Sequence, residues 1–252
     1  MTDDLTPFKW SPSFAYAVGL LATDGYLSSD GRHMELCSKD LENILNLRQC
    51  LNLQTKIGRK TRGTEPRLTY HRTQFGNVRL YRFLVNIGLG PRKSRTLQRL
   101  AVPRDHFADF LRGVWDGDGC ITAFQHPESY RLQWRMHVSS GSPAFLKWLQ
   151  KEISQLYGLK GTIFQNVRAQ QLVYYKHGGA RLVQKMYYNP NVICLARKRE
   201  KALSLLDGAK SSPLWGSIHD DTKGHVAKLG YAAALGAAGE TRGGSNPSMP
   251  IG

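Results

Sequence analysis

Two stretches of the chain repeat one another: Ala17-Val18-Gly19-Leu20-Leu21-Ala22-Thr23-Asp24-Gly25 and Leu111-Arg112-Gly113-Val114-Trp115-Asp116-Gly117-Asp118-Gly119. Each is an apolar, small-residue run of helical character that ends in an acid followed by glycine. Gly19 and Gly113, Asp24 and Asp118, and Gly25 and Gly119 share one offset of 94 residues. A repeat of that length is a whole small structural unit, and it carries its carboxylate along. Helices that are apolar nearly all round must be buried against something large. The simplest cover for each is the other, with Gly19 and Gly113 letting the backbones approach about a pseudo-twofold axis.

That packing brings Asp24 and Asp118 to one edge of the interface. An acid before glycine at a helix end is ordinarily a C-terminal cap, with the glycine in the left-handed conformation. An acid there also faces the negative end of the helix dipole, at a cost of about 0.3–1 kcal/mol. Two such acids at equivalent places point to use. Carboxylates a few ångströms apart are stable only with a shared proton or a bound cation. Oxygen ligands without a Cys or His cluster suit Mg²⁺, with Mn²⁺ able to substitute. A metal held this way beside a basic surface is the layout for phosphodiester hydrolysis. Asp116, whose counterpart is Ala22, reads as support at the helix end.

The basic surface is explicit in the composition. The net charge is +16, and between Thr55 and Arg104 there are thirteen basic residues and one acid, Glu65. The expected partner is a polyanion. Tyr70, Phe75, Tyr81 and Phe83 interleave these charges, as in a folded basic face. Cys37, Cys50, Cys120 and Cys194 form no CxxC pair, which favours reduced thiols in an intracellular protein over disulfides or zinc. No apolar run reaches the roughly 20 residues of a membrane helix, and the acidic start is unlike a secretory signal. The expected location is the cytoplasm of a bacterium or phage-infected cell, or an organelle.

The patterning predicts helices over 14–23 and 40–53 and a strand over 33–38. Further strands follow over 67–73 and 74–81, then a short helix to Ile87. The second unit runs parallel to the first, with helices over 105–117, 143–157 and 180–188. Its strands fall over 121–124, 132–139, 162–167 and 171–175. This is an α+β chain of two αββαββα repeats, 1–103 and 104–208. Each repeat exits on a basic run, Pro91-Arg92-Lys93 and Arg197-Lys198-Arg199. Residues 209–252 contain fifteen Gly and Ala and are expected to form a flexible, near-neutral tail with no part in gripping DNA.

On these motifs, spacings and repeat order, residues 10–206 resemble the LAGLIDADG homing endonucleases of the two-motif, monomeric type. The resemblance implies a saddle whose two sheets lie in the DNA major groove. It assigns metal binding to the motif acids, here Asp24 and Asp118. It places a lysine near the cleavage site just before each repeat's last helix, which corresponds to Lys93 and Lys198. Those lysines serve either catalysis or phosphate anchoring. A family glutamine near the site has only Lys39 and Ser140 as its nearest equivalents here. Ala22, Thr23 and Arg112 depart from the usual spelling of the motif but leave its acid in place.

The expected activity is sequence-specific, Mg²⁺-dependent double-strand cleavage of DNA, as in intron homing, by a monomer on a long asymmetric site. Arg59, Arg67, Arg72, Gln74, Arg79, Arg131, Gln133, Arg135, Gln165 and Gln171 are the candidate DNA contacts. Only alternate strand positions can face DNA, so about half are expected to point elsewhere. The rival is a non-cleaving binder on the same fold, either an RNA maturase or a transcription regulator. An intein is disfavoured, because Met1 stands where Cys or Ser would be needed and Ile251-Gly252 is not the usual His-Asn ending.

Overall fold

The computed structural model describes residues 8–62, 65–165 and 169–210, without the side chains of 62, 65–68 and 207–210. The expectations for the tail from 211 onward lie outside the described residues. Helix α1 (Pro12–Thr23) starts where the sequence gives it a start. Ser11 accepts from Phe14 N at 3.1 Å, and Pro12 fills the first turn, where its missing N–H costs nothing. Strands β1 (Gly25–Leu27) and β2 (His33–Ser38) follow, then α2 (Leu41–Cys50), β3 (Ile57–Arg62), β4 (Glu65–Gly76) and α3 (Val78–Asn86). After a loop and a 3-10 turn at Arg104–His106 the order recurs. Helix α4 (Phe107–Asp118) leads to β5 (Gly119–Gln125), β6 (Leu132–Ser140) and α5 (Pro143–Tyr157). Strands β7 (Thr162–Gln165) and β8 (Gln170–Tyr175) precede α6 (Lys176–Met186) and α7 (Ala196–Lys210).

Each repeat forms a four-stranded antiparallel sheet of the same topology, β1-β2-β4-β3 and β5-β6-β8-β7. Alternation decides which face is covered. In β2 Met34 and Leu36 are buried, and their partners Phe75 and Thr73 on β4 are buried with them. In β6 the buried positions are Trp134, Met136 and Val138. Helices α2 and α5 lie against their own sheets, and the opposite faces carry the polar alternates. Through Asp207 both repeats belong to one unit, at whose centre α1 and α4 pack with nearly every side chain buried.

Two strands differ from expectation. The segment 67–81 holds one long strand and a helix start, not two strands. Asn77 accepts from Leu80 N at 2.9 Å and nucleates α3, so Arg79 lies on a helix. The missing strand is β3, whose Ile57-Gly58-Arg59-Lys60-Thr61-Arg62 shows no apolar alternation. Charged residues of this kind are normal on an edge strand, which pairs through one side alone.

Candidate active site and sheet faces

The two motif helices meet where the sequence has glycine. A Cβ on Gly19 would lie 2.8 Å from Val114 N and 2.9 Å from Gly113 Cα, and closer still to the Phe110 carbonyl. A Cβ on Gly113 would lie 3.0 Å from Gly19 Cα and collide with the Tyr16 carbonyl. This backbone contact fixes where the helices end and so where their acids stand. Asp24 closes α1, its N–H donating to Leu20 O at 3.1 Å, and Asp118 is the last residue of α4.

The glycines after the acids do not cap in the left-handed conformation. Gly119 has φ −86° and starts β5 directly. A Cβ there would be 2.6 Å from a Trp115 ring carbon, and one on Gly25 would be 2.6 Å from Leu21 Cα. Glycine is required for space, because the strand folds back onto its own helix.

Burial pushes the Asp24 carboxyl up to about 6, with the charge of Asp118 adding to it and Lys198 and Lys93 opposing. Asp118 is also raised by desolvation, against the pull of the same two lysines, although it keeps an exposed surface. The two acids and two lysines therefore form one electrostatic cluster at the helix ends. Lys93, 8 % exposed, donates to Thr23 O at 2.7 Å. Lys198 donates to Trp115 O at 2.8 Å, Asp116 O at 2.9 Å and Gly117 O at 3.3 Å. Each ammonium binds terminal carbonyls of one motif helix and offsets the unfavourable placement of its acid. Burial lowers Lys93 to about 8 and also lowers Lys198. Lys93 does not precede a helix as expected: its repeat's last helix is α3, and residues 91–96 form turns. Lys198 lies in the first turn of α7.

Behind the acids lies a polar network that the sequence pattern did not reveal. Asp116 accepts from Tyr16 OH at 2.8 Å and Leu195 N at 2.6 Å, and burial pushes its carboxyl to about 7. Asn46 donates to Tyr16 OH at 3.2 Å and Cys194 O at 2.9 Å. Arg112, 1 % exposed, pairs with Asp109 at 2.6 Å and donates to Met186 O at 2.7 Å and Ile193 O at 2.8 Å. A buried arginine needs all its donors occupied. Arg112 in the motif helix and Asp116 at its end were the visible signals of this network.

The candidate DNA contacts divide by pleat. Cross-strand partners share a face, so Arg72 and Gln74 stand with Cys37 and Glu35 on the uncovered face of the first sheet. Gln133, Arg135 and Gln171 stand on the uncovered face of the second. Arg59 pairs with His71, and Gln165 with Gln170, on the helix-side parity; Gln170 donates to Gln165 at 2.5 Å. Arg79 is on α3, Arg131 is in the turn before β6, and the Arg67 side chain lies outside the described residues. Sequence reasoning missed Lys60 and Glu35, which share the first uncovered face at 3.4 Å, with Arg72 also 3.6 Å from Glu35. It missed His137 on the second, which follows from the β6 pleat once the register is known.

Residues 105–198 match the family model described as a LAGLIDADG-like domain. No curated protein matches the chain. Among solved structures, the chain is similar to the LAGLIDADG meganuclease I-AabMI bound to uncleaved DNA. That match has TM-score 0.55 and 12% identity, over 80% of this chain and 91% of that one. The homing endonuclease I-WcaI, bound to its DNA recognition sequence, matches with TM-score 0.55 and 10% identity, over 76% and 86%. Full-length DUF199/WhiA from Thermatoga maritima matches with TM-score 0.53 and 14% identity, over 93% of this chain and 71% of that one. At these identities the likeness is one of fold.

Proposed function

We propose that this chain is a LAGLIDADG-type, sequence-specific double-strand DNA endonuclease that hydrolyses phosphodiesters with a divalent metal between its repeats. The observation that carries this reading is the acid pair at the ends of the packed helices, electrostatically coupled to two lysines. The solved relatives bound to DNA support DNA as the partner.

Among the described residues no group of three or more Asp, Glu, His and Cys converges on one point. Two carboxylates alone do not make a closed zinc site, but they fit Mg²⁺, which retains waters and takes its other ligands from phosphate. Asp24 and Asp118 would hold such an ion, and their mutual repulsion in a desolvated place is the physical reason for one. A bound divalent cation supplies activation of water and stabilisation of the leaving oxygen. The residues do the rest. Lys93 and Lys198 keep the acids ionised near neutrality and present positive charge where a phosphate must approach. Arg72, Gln74, Gln133, Arg135 and Gln171 are of the types that hydrogen-bond to base edges.

The likeness to a DUF199/WhiA protein, whose name states no nuclease activity, keeps a non-cleaving nucleic-acid binder as the second reading. A plasmid carrying the uninterrupted version of the encoding locus separates the two. Incubation with Mg²⁺ linearises it if the chain is an endonuclease; binding without any cut in Mg²⁺ or Mn²⁺ establishes the second reading.

A further inference from the structure

In each repeat the residue that opens the second helix turns its side chain away from that helix. Asp40 is the N-cap of α2 and Ser142 the N-cap of α5, and neither bonds back to its own helix. Ser and Asp are favoured at this position because they make that bond, so two omissions at equivalent places need a cause. Both side chains reach the other repeat. The Asp40 carboxylate takes Arg197 Nε at 2.7 Å and Nη2 at 2.6 Å, a two-point contact one residue before Lys198. Ser142 Oγ donates to the Leu97 carbonyl. Leu97 in turn donates its N–H to Lys93 O at 2.8 Å, closing the turn that carries Lys93. Beside Ser142, a Cβ on Gly141 would lie 2.7 Å from Ser94 O, so glycine lets this turn seat against the second repeat.

The rest of α2 strengthens its half of the exchange. Glu42 accepts from Ala196 N at 3.1 Å, and Asn46 holds Cys194 O. The run from Cys194 to Arg197 is thus tied to the first repeat at three of its four residues, and Leu195 between them is tied to Asp116. We propose that Asp40 and Ser142 are positioning residues, each setting the lysine of the opposite repeat. Neither half of the site is then complete without the other repeat's second helix. The coupling itself is a statement about the folded chain; its effect on cleavage rests on the endonuclease reading above.

Amine labelling of the full chain without DNA, read lysine by lysine by mass spectrometry, tests the coupling. The Arg197 charge itself lowers the proton affinity of Lys198. With labelling run near pH 10.5, where the return of ordinary proton affinity on release costs little, removing that charge without releasing the lysine would slow labelling, whereas release from its carbonyls speeds it. Arg197→Gln is expected to raise labelling of Lys198 about threefold or more and leave Lys93 unchanged, as a local opening confined to one segment does. Ser142→Ala is expected to do the reverse, and Ser142→Thr, which keeps the hydroxyl, to restore the wild-type pattern. Slower labelling of Lys198 in Arg197→Gln, or equal change at both lysines in either variant, overturns the proposal. On a cleavable plasmid the two variants should accumulate nicked circles cut in opposite strands, at unchanged DNA affinity. Equal slowing of both strands also overturns it. A wild-type chain that cuts nothing while the labelling follows the expected pattern overturns the endonuclease reading and leaves the coupling standing.

Discussion

At the helix interface Gly19 faces Gly113, and Asp24 has Asp118 as its counterpart. On the uncovered sheet faces the equivalent positions are unlike. Leu36 pairs with Gly25 as Val138 pairs with Gly119, which makes Glu35 the counterpart of His137. By the same register Arg72 corresponds to Gln171, and Gln74 to Val173. The interface is constrained on both sides at once, because any side chain there meets backbone. The sheet faces have no such backbone contact, although Val173 on the second is itself buried. A duplex presents two chemically alike strands to its cutter and unlike bases to its reader, and this division of symmetry suits that task. A homodimer of one-motif chains must present identical faces; this chain need not.

The symmetric acids carry the largest expected effect. Asp24→Asn and Asp118→Asn should each lower single-turnover cleavage by about a hundredfold or more, since each would remove a ligand of the proposed metal. DNA affinity, measured by gel shift, should hold within about threefold because phosphate contacts supply it. Gly19→Ala should cost about 3 kcal/mol in urea unfolding, because the added methyl meets main chain that cannot yield without parting the helices. Gly31→Ala, at a position with open space around it, gives the control for the added methyl, subject to the smaller strain of its φ of +74°.

The asymmetric part is sharpened by base-substitution profiles. Arg72→Ala, Arg135→Ala and Gln171→Ala should each relax preference at separate base pairs by about 1–3 kcal/mol. Arg59→Ala and Gln165→Ala, on the covered parity of their sheets, should leave base preference unchanged. Uniform weakening on all sequences would mark a residue as a phosphate contact instead.

A smaller effect lies in pH. The Asp24 carboxyl has a folded-state pKa of about 6 against an ordinary value of 3.8. Its burden on the fold is therefore absent below about pH 4 and grows as pH rises through about 6. Metal-free Asp24→Asn should be more stable than wild type by about 1–2 kcal/mol at pH 7 and equal to it near pH 4. Equal stability at pH 7 would show that the acid is not held in a desolvated place.

Much of this arrangement was legible in the sequence because it rests on short, periodic features. The doubled motif gave the helix pairing, and the strands read over His33–Ser38 and Leu132–Ser139 are each one of the two interior strands of their sheet. Where the reading went astray, either a strand partner or an ambiguous cap decided. The edge strand Ile57–Arg62 is held by its partner and carries no hydrophobic pattern of its own. Arg79 was misplaced because Asn77, a residue equally at home in a turn, caps a helix. Lys93 and Lys198 were singled out through the family resemblance. Their bonds to helix-end carbonyls, and the exchange of Asp40 and Ser142 between repeats, depend on contacts up to 157 residues apart that no local pattern encodes.

The most direct test of the central claim, one symmetric acid pair between two unlike reading faces, is stoichiometry and footprint measured together. Sedimentation of the protein with its selected DNA should give one chain per duplex. The footprint should cover a long site without two-fold symmetry, with the Mg²⁺-dependent cuts near its centre. A complex of two chains on a palindrome would contradict the account.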